Sequence, residues 1–101
     1  NLIIKVSRFP GHVGGELANV NRWRGQLGLK GIKAKELEKS LEVIECKIGK
    51  AKLLDITNNG KQMLAVMLPH NKSTYFFKML DSQEKVSKQK DALVTLIKSL
   101  K

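Results

Sequence analysis

The feature that most constrains the fold is the stretch Met63–Leu68, which is apolar on both sides of a strand's two-residue alternation. A strand with one wetted face would alternate apolar and polar residues, so this stretch is typical of a central strand. It follows Asn58-Asn59-Gly60-Lys61, and Asn-Gly is a strong signal for a tight hairpin turn. The sequence therefore predicts a sheet that is built around this hairpin and covered on both faces.

The other segments complete one domain over residues 1–101. Two-residue alternation predicts further strands over Leu2–Arg8, Glu42–Ile48, Ala51–Thr57 and Thr74–Leu80, beside Gln62–Leu68 in the hairpin. Helical spacing predicts helices over Glu16–Leu27 and Ala34–Leu41, and a closing helix that starts at an Asp81 N-cap with Glu84 in a capping box. The order β-α-α-β-β-β-β-α predicts an α+β fold with a mainly antiparallel sheet.

The charge balance of the chain limits the class of partner. Nineteen Lys and Arg against nine Asp and Glu give a formal net charge of +10, which favours an anionic partner. Sixteen of the basic residues are Lys, whereas base-reading proteins rely on Arg for bidentate contacts to guanine. Phe76 and Phe77 point to opposite sides of one strand and form no stacking platform. The sequence therefore makes nucleic acid the less favoured anionic partner; a protein remains a candidate, and so does a cell-envelope component if the resemblance described below holds.

Cysteine and histidine are too few for common cross-links or metal sites. Cys46 is the only cysteine, so no disulfide forms within the chain, and only His12 and His70 accompany it. This set does not supply a Cys/His zinc site, and no nucleotide-binding glycine motif is present. No stretch approaches the roughly 18 apolar residues of a membrane-spanning helix. We therefore expect no metal site, no cofactor and no transmembrane span.

A dense polar motif surrounds the single tryptophan: residues 19–29 read NVNRWRGQLGL. This run resembles a group of small bacterial proteins of unknown function, generally predicted to be exported or lipid-anchored, that share an N-x-N-R-W-R-x-Q-L-G-L segment. The similarity continues through the hairpin, the strand Thr74–Lys78 and the closing helix. The element order in turn resembles the PsbP/Mog-type α+β sandwich. These resemblances imply a sheet packed with helices on both faces in an exported, periplasmic or membrane-anchored lipoprotein, and they carry over no ligand residue.

The same motif supplies the first group of candidate binding residues. Trp23 lies in the apolar arc of its helix, which predicts that it packs in the core. Arg24 falls inside that arc, where its guanidinium needs an acceptor: Asp55, a loop or helix-end carbonyl, or a bound anion. The remaining polar residues flank the arc or face away from it. The candidates in this helix are Asn19, Asn21, Arg22, Arg24 and Gln26.

A second candidate surface is basic. Lys47, Lys50 and Lys52 follow one another across two predicted strands, and Lys61 lies on the facing hairpin. If these lysines gather at one end of the sheet, they attract an anionic surface. Lys47, Lys50 and Lys52 are therefore the second group of candidate binding residues.

Catalytic chemistry has little support in the sequence. Gly11–Gly15 precedes a helix as phosphate-binding loops do, but loop geometry explains its glycines about as well. Cys46 alternates with apolar residues, which predicts a buried, unreactive thiol. His70 lies in a turn with no nucleophile tied to it. We therefore predict that the chain is not an enzyme, and a hydrolase that uses His12 or His70 is the reserve hypothesis.

Together these expectations describe a non-enzymatic, exported or envelope-tethered domain that binds an unidentified ligand. The alternative is a basic cytoplasmic domain that binds nucleic acid or an acidic protein. Salt dependence tests the alternative, because counterion release from nucleic acid gives a steep loss of affinity as salt rises.

Overall fold

The computed structural model describes residues 2–11 and 14–101, and these residues form five strands and four helices. The strands are β1 (Ile4–Pro10), β2 (Leu41–Cys46), β3 (Gly49–Asn58), β4 (Lys61–His70) and β5 (Ser73–Ser82). The helices are α1 (Gly15–Gln26), α2 (Ala34–Ser40), α3 (Gln83–Ser87) and α4 (Lys90–Lys98). All five strands and the first two helices lie within a few residues of their predicted positions.

The strands form one sheet in the order β1-β5-β4-β3-β2, and every neighbouring pair is antiparallel. Sequential hairpins connect β2 through β5, and β1 adds at the far side of β5. In the turn between β3 and β4, Asn59 and Gly60 have φ values of 51° and 77°, the left-handed conformation that an Asn-Gly hairpin turn requires. The predicted hairpin is confirmed.

β4 is the central strand, and it is buried without interruption from Gln62 to Leu68. Its side chains alternate between two cores, because successive residues of a strand point to opposite faces. The core under α1 contains Val20, Trp23, Leu27, Leu54, Ile56, Met63, Ala65, Met67 and Phe76. The core under α3 and α4 contains Ile44, Ala51, Leu53, Leu64, Val66, Leu68, Phe77, Met79, Val86, Leu93 and Ile97. The fold is therefore α+β, with helices on both faces of an antiparallel sheet.

The closing helix differs from its prediction in two respects. It is divided into α3 and α4 by a turn at Lys88 and Gln89. The N-cap is Ser82, whose Oγ accepts a hydrogen bond from the Lys85 N–H at 3.4 Å, and the predicted Asp81 cap is wrong. Asp81 stays in β5, where the Ser82 N–H donates to its carboxylate and lowers its pKa. β5 pairing thus continues one residue past the predicted helix start.

An ion-pair cluster joins α4 to the sheet. Lys90 Nζ lies 2.9 Å from a carboxylate oxygen of Asp55 and 2.7 Å from one of Glu42. Gln62 donates its side-chain N–H to the other Asp55 oxygen at 2.7 Å. Hydrogen bonds to Glu42 and Asp55 raise the pKa of Lys90. The Asp55 side chain therefore lies on the face of the sheet that α4 covers.

Candidate functional site

Two of the predicted binding residues in α1, Asn21 and Arg24, bond to the segment that follows the helix. The Asn21 side chain accepts a hydrogen bond from the Ile32 N–H at 2.7 Å and donates one to the Ile32 carbonyl at 3.1 Å. Arg24 donates from Nε to the Lys30 carbonyl at 2.7 Å. These bonds fasten the segment between α1 and α2 to α1. The suggested Asp55 partner for Arg24 is wrong, because Asp55 lies on the opposite face of the sheet; the loop-carbonyl interpretation is confirmed.

Asn19 belongs to the first turns of the same helix and is buried. Its side-chain N–H donates to the Gly15 carbonyl, four residues earlier, at 2.8 Å. Asn19, Asn21 and Arg24 therefore do not converge on one site, although they lie close in sequence.

Arg22 and Gln26 lie together on a different side of α1, beside β1 and β5. They border a cleft of about 220 Å³, which we call the basic cleft. Its lining residues are Lys5, Ser7, Phe9, Arg22, Trp23, Gln26, Phe76 and Lys78. No carboxylate is among them. Two of the predicted α1 residues, Arg22 and Gln26, therefore share one site, and β1 and β5 contribute further residues to it.

The register of the sheet creates the charge of this cleft. Lys5 of β1 pairs directly with Lys78 of β5, so both side chains point to the α1 face. Like charges that are directly opposite on neighbouring strands destabilise a sheet. Arg22 adds a third positive charge from the helix above. None of these three residues makes an ion pair within residues 2–11 and 14–101.

Lys78 shows the electrostatic consequence of this arrangement. Desolvation by burial, followed by the nearby charges of Lys5 and Arg22, lowers the pKa of Lys78. Its ammonium donates a hydrogen bond to Gln26 Oε1, a neutral acceptor that does not cancel the charge. An anion in the cleft would relieve this repulsion and stabilise the protonated form of Lys78.

Aromatic rings form the floor of the basic cleft. Phe76 contacts Phe9 and Trp23 edge to face, with ring centroids 5.8 Å and 5.9 Å apart. Trp23 is 2% exposed, which confirms its predicted place in the core. Phe9 remains 45% exposed at the rim. The cleft therefore offers an apolar surface beside its cations.

The predicted lysine patch does not form as expected. Lys47 and Lys50 are exposed near the turn between β2 and β3, whereas Lys61 lies at the opposite end of β3. Asn58, which pairs with Lys61, lies eight positions beyond Lys50, or roughly 25 Å along the strand, so Lys61 cannot join the group. Lys52 forms an ion pair with Glu16 of α1 at 2.8 Å. Lys47 and Lys50 make no ion pair among the described residues.

The remaining reactive side chains have ordinary surroundings. The Cys46 thiol is half-buried and donates to the Gly49 carbonyl at 3.3 Å. His70 Nδ1 lies 3.2 Å from the Ile48 carbonyl. In the glycine run, Thr74 donates to the Gly11 carbonyl at 2.7 Å, and His12 lies outside the described residues. Within residues 2–11 and 14–101, no group of three or more metal-binding side chains occurs.

Sequence reasoning missed Lys5, Ser7, Phe9 and Lys78 as site residues. Their strand alternation was visible, and it places Lys5, Ser7 and Phe9 on one side of β1. The pairing of the first strand with the last was not visible, because no turn connects β1 to β5 and fixes their register.

The molecule is an α+β domain in which a basic cleft with an aromatic floor lies between helix α1 and strands β1 and β5 of an antiparallel sheet. Comparison with known proteins adds no relative: no protein-family profile, no curated protein and no solved structure matches the chain. No helix among the described residues is long and apolar enough to cross a membrane.

Proposed function

We propose that this protein is a non-enzymatic binding domain that holds the anionic group of a small ligand in the basic cleft. The observation that carries the proposal is the direct pairing of Lys5 with Lys78 under Arg22. Three cations placed close together gain no stability from one another, and the Asp81 carboxylate, which borders Lys5 and Lys78 in a neighbouring cleft, makes no ion pair with either lysine. A bound anion would offset the mutual repulsion of these three residues.

The lining groups suit a phosphate, sulfate or carboxylate that is attached to an apolar body. Lysine ammonium groups act as compact positive charges, and an arginine guanidinium supplies a planar pair of donors. Ser7 and Gln26 add neutral hydrogen-bonding groups, and the rings of Phe9 and Phe76 offer contact area. The volume of about 220 Å³ fits one such headgroup.

The proposal assigns no bond-breaking step to the cleft. General acid–base catalysis most often uses an imidazole or a carboxyl group, and nucleophilic catalysis uses a thiol, an activated hydroxyl or a lysine of lowered pKa. Lys78 is a lining lysine of lowered pKa, and its ammonium donates a hydrogen bond to Gln26. Ser7 is the only hydroxyl among the lining residues, and no imidazole, thiol or carboxyl group lines the cleft beside it. Binding is the function that these side chains support best.

We also propose an exported or envelope-tethered location and a PsbP/Mog-type sandwich. The resemblance of residues 19–29 to the N-x-N-R-W-R-x-Q-L-G-L proteins supports the location, and the helices on both faces of the sheet support the fold type. Fractionating cells that express the protein with its natural N-terminus tests the location: recovery in the cytoplasm contradicts it.

The alternative function is a basic cytoplasmic domain that binds nucleic acid or an acidic protein. The net charge of +10 favours it. A nucleic-acid site would lose affinity steeply as salt rises, whereas a cleft that holds one headgroup loses it gradually. The slope of log affinity against log salt, measured with a single-stranded oligonucleotide and with pyrophosphate, separates the two functions.

Calorimetric titration with pyrophosphate tests the cleft directly. We expect Lys78→Gln and Arg22→Gln each to weaken binding about tenfold, because each removes a charge that contacts the anion. Lys47→Gln is the matched control, since it removes the same charge from an exposed turn. Equal weakening in Lys47→Gln would mean that pyrophosphate binds to the overall charge and would contradict the proposal.

A further inference from the structure

We infer that the outer edge of β1 is a docking site for an extended acidic peptide, which joins the sheet as a sixth strand. β5 pairs with β1 along Ile4–Pro10 on one side, and no described residue pairs with it on the other. Every residue of β1 is exposed. The open backbone groups of an edge strand are a template for an added strand. Lys5, Ser7 and Phe9 of this strand also line the basic cleft, but the inference depends on the open backbone edge of β1 and does not rest on the proposed function.

The opposite edge of the sheet is built differently. β2 is in contact with α2 and α4, and the ion pair between Glu42 and Lys90 ties it to α4. β1 packs mainly on β5, and no helix among the described residues covers it to a similar extent. Both β1 and β2 are edge strands, and β1 is the less covered of the two.

The side chains of β1 define the chemistry of the partner. Ile4, Val6 and Phe9 are 37%, 59% and 45% exposed, so this edge offers accessible apolar side chains on both of its faces. Lys5 and Arg8 are the charged residues of the strand, and both are basic. Lys5, Ser7 and Phe9 share one side of the strand, while Val6 and Arg8 share the other. A peptide that alternates acidic and apolar residues complements both sides.

Two other occupants fit this edge poorly. A second copy of the chain would pair β1 with β1 and bring two Lys5 and two Arg8 side chains together, which like-charge repulsion opposes. A lipid surface would need the apolar side chains on one plane. Val6 and Phe9 point to opposite faces of the sheet, so one flat surface cannot take both.

The test uses a ten-residue peptide of alternating glutamate and valine, titrated into isotope-labelled protein and followed by nuclear magnetic resonance. We expect saturable binding, with the largest shifts and new amide exchange protection in β1. Two further peptides carry backbone N-methyl groups on alternate residues: one on every glutamate, the other on every valine. In an added strand only one set of amides faces β1, so one methylated peptide should bind about tenfold more weakly than the other.

Charge variants complete the test. Arg8→Glu should weaken the unmethylated peptide at least tenfold, and the milder Arg8→Gln should weaken it by a smaller factor. Lys47→Glu makes the same change of charge as Arg8→Glu at an exposed turn and should leave affinity within about twofold. Equal binding of the two methylated peptides would overturn the inference. Equal weakening in Lys47→Glu would also overturn it. A dimer that forms without peptide in sedimentation equilibrium and is abolished by β1 variants would show that a second copy of the chain occupies the edge. Binding to anionic vesicles through β1, without peptide, would show that a lipid surface does. Pyrophosphate is titrated separately, so failure here leaves the test of the basic cleft intact.

Discussion

Arg22 lies over the ring of Trp23, with its guanidinium carbon 5.5 Å from the ring centroid. The two residues are adjacent in sequence but have opposite environments, since Arg22 is exposed and Trp23 is 2% exposed. A cation over an aromatic face is held there by the ring's electrostatic field. One turn of α1 thus supplies both an anchor in the core and a positioned cation for the basic cleft.

Asn21 and Arg24 should act on stability alone. Asn21→Ala removes two hydrogen bonds to the Ile32 backbone, and we expect a loss of about 2 kcal/mol in the free energy of unfolding. Arg24→Ala removes one exposed bond to Lys30 and should cost about 1 kcal/mol or less. Chemical denaturation measures both losses. Pyrophosphate affinity per folded molecule should stay unchanged. A weaker affinity in a fully folded variant would show that the substituted residue belongs to the binding site.

The cluster around Lys90 should stabilise the attachment of α4. Lys90→Met leaves the partly buried Asp55 carboxylate and the exposed Glu42 carboxylate without their cation, so we expect a loss of about 1–2 kcal/mol. Lys88→Met is the matched control, because the Lys88–Glu84 pair is 4.0 Å long and highly exposed. Its cost should be within about 0.5 kcal/mol of zero. Similar losses in the two variants, measured by urea unfolding, would show that the Lys90 cluster contributes little.

The lowered pKa of Lys78 gives anion binding a specific pH dependence. An anion binds best to the protonated ammonium, so affinity should fall as pH rises through this pKa, below the range in which an ordinary lysine titrates. Sulfate is the appropriate probe because it does not titrate in this range. In Lys78→Gln the fall should move to higher pH. A sulfate affinity that is identical at all pH values in both proteins would exclude Lys78 as a ligand.

The same pKa has the opposite effect on stability. The unfolded chain keeps its Lys78 proton to higher pH than the folded chain does, so it binds more protons between the two pKa values. The contribution of Lys78 to the free energy of unfolding should therefore rise with pH across that window. Comparing urea unfolding of the unmodified protein and Lys78→Gln across the window isolates this contribution. A difference between them that stays constant with pH would contradict the repulsion at Lys5, Lys78 and Arg22.

Two glycines with open surroundings should respond in opposite directions to alanine. An added Cβ would meet nothing within 4 Å at either Gly25 or Gly60. Gly60 has a φ of +77°, which an L residue adopts only with strain, so Gly60→Ala should cost about 1 kcal/mol. Gly25 lies in α1 with ordinary helical geometry, so Gly25→Ala should stabilise by about 0.5–1 kcal/mol. Thermal unfolding of the two variants checks both signs.

Local patterns were sufficient to predict most of the fold. Apolar residues on both sides of Met63–Leu68 indicated a central strand, and Asn59 with Gly60 indicated the hairpin. The α1 wheel located Trp23 in the core. Each of these features depends on residues that are close in sequence. The closing helix was less predictable, because Asp81 can cap a helix or continue a strand, and its cross-strand pairing with Gln62 decides between the two.

The site was less predictable than the fold for the same physical reason. Arg22 and Gln26 were identified as candidates, but Lys5 and Lys78 reach the cleft only through pairing between the first and last strands. Lys52 was taken as available for a ligand, but Glu16 of α1 binds it. The pairing of strands that are distant in sequence, and the partner of each charged side chain, depend on how the whole chain packs. Local periodicity in the sequence does not predict them.

The most direct test of the central claim is a map of where a simple anion binds. Isotope-labelled protein is titrated with pyrophosphate, and amide and side-chain shifts are followed by nuclear magnetic resonance. We predict saturable shifts centred on Lys5, Arg22 and Lys78, and only small linear shifts at Lys47 and Lys50. Shifts that are spread over all exposed lysines, or centred on the turn at Lys47, would contradict a binding site in the basic cleft.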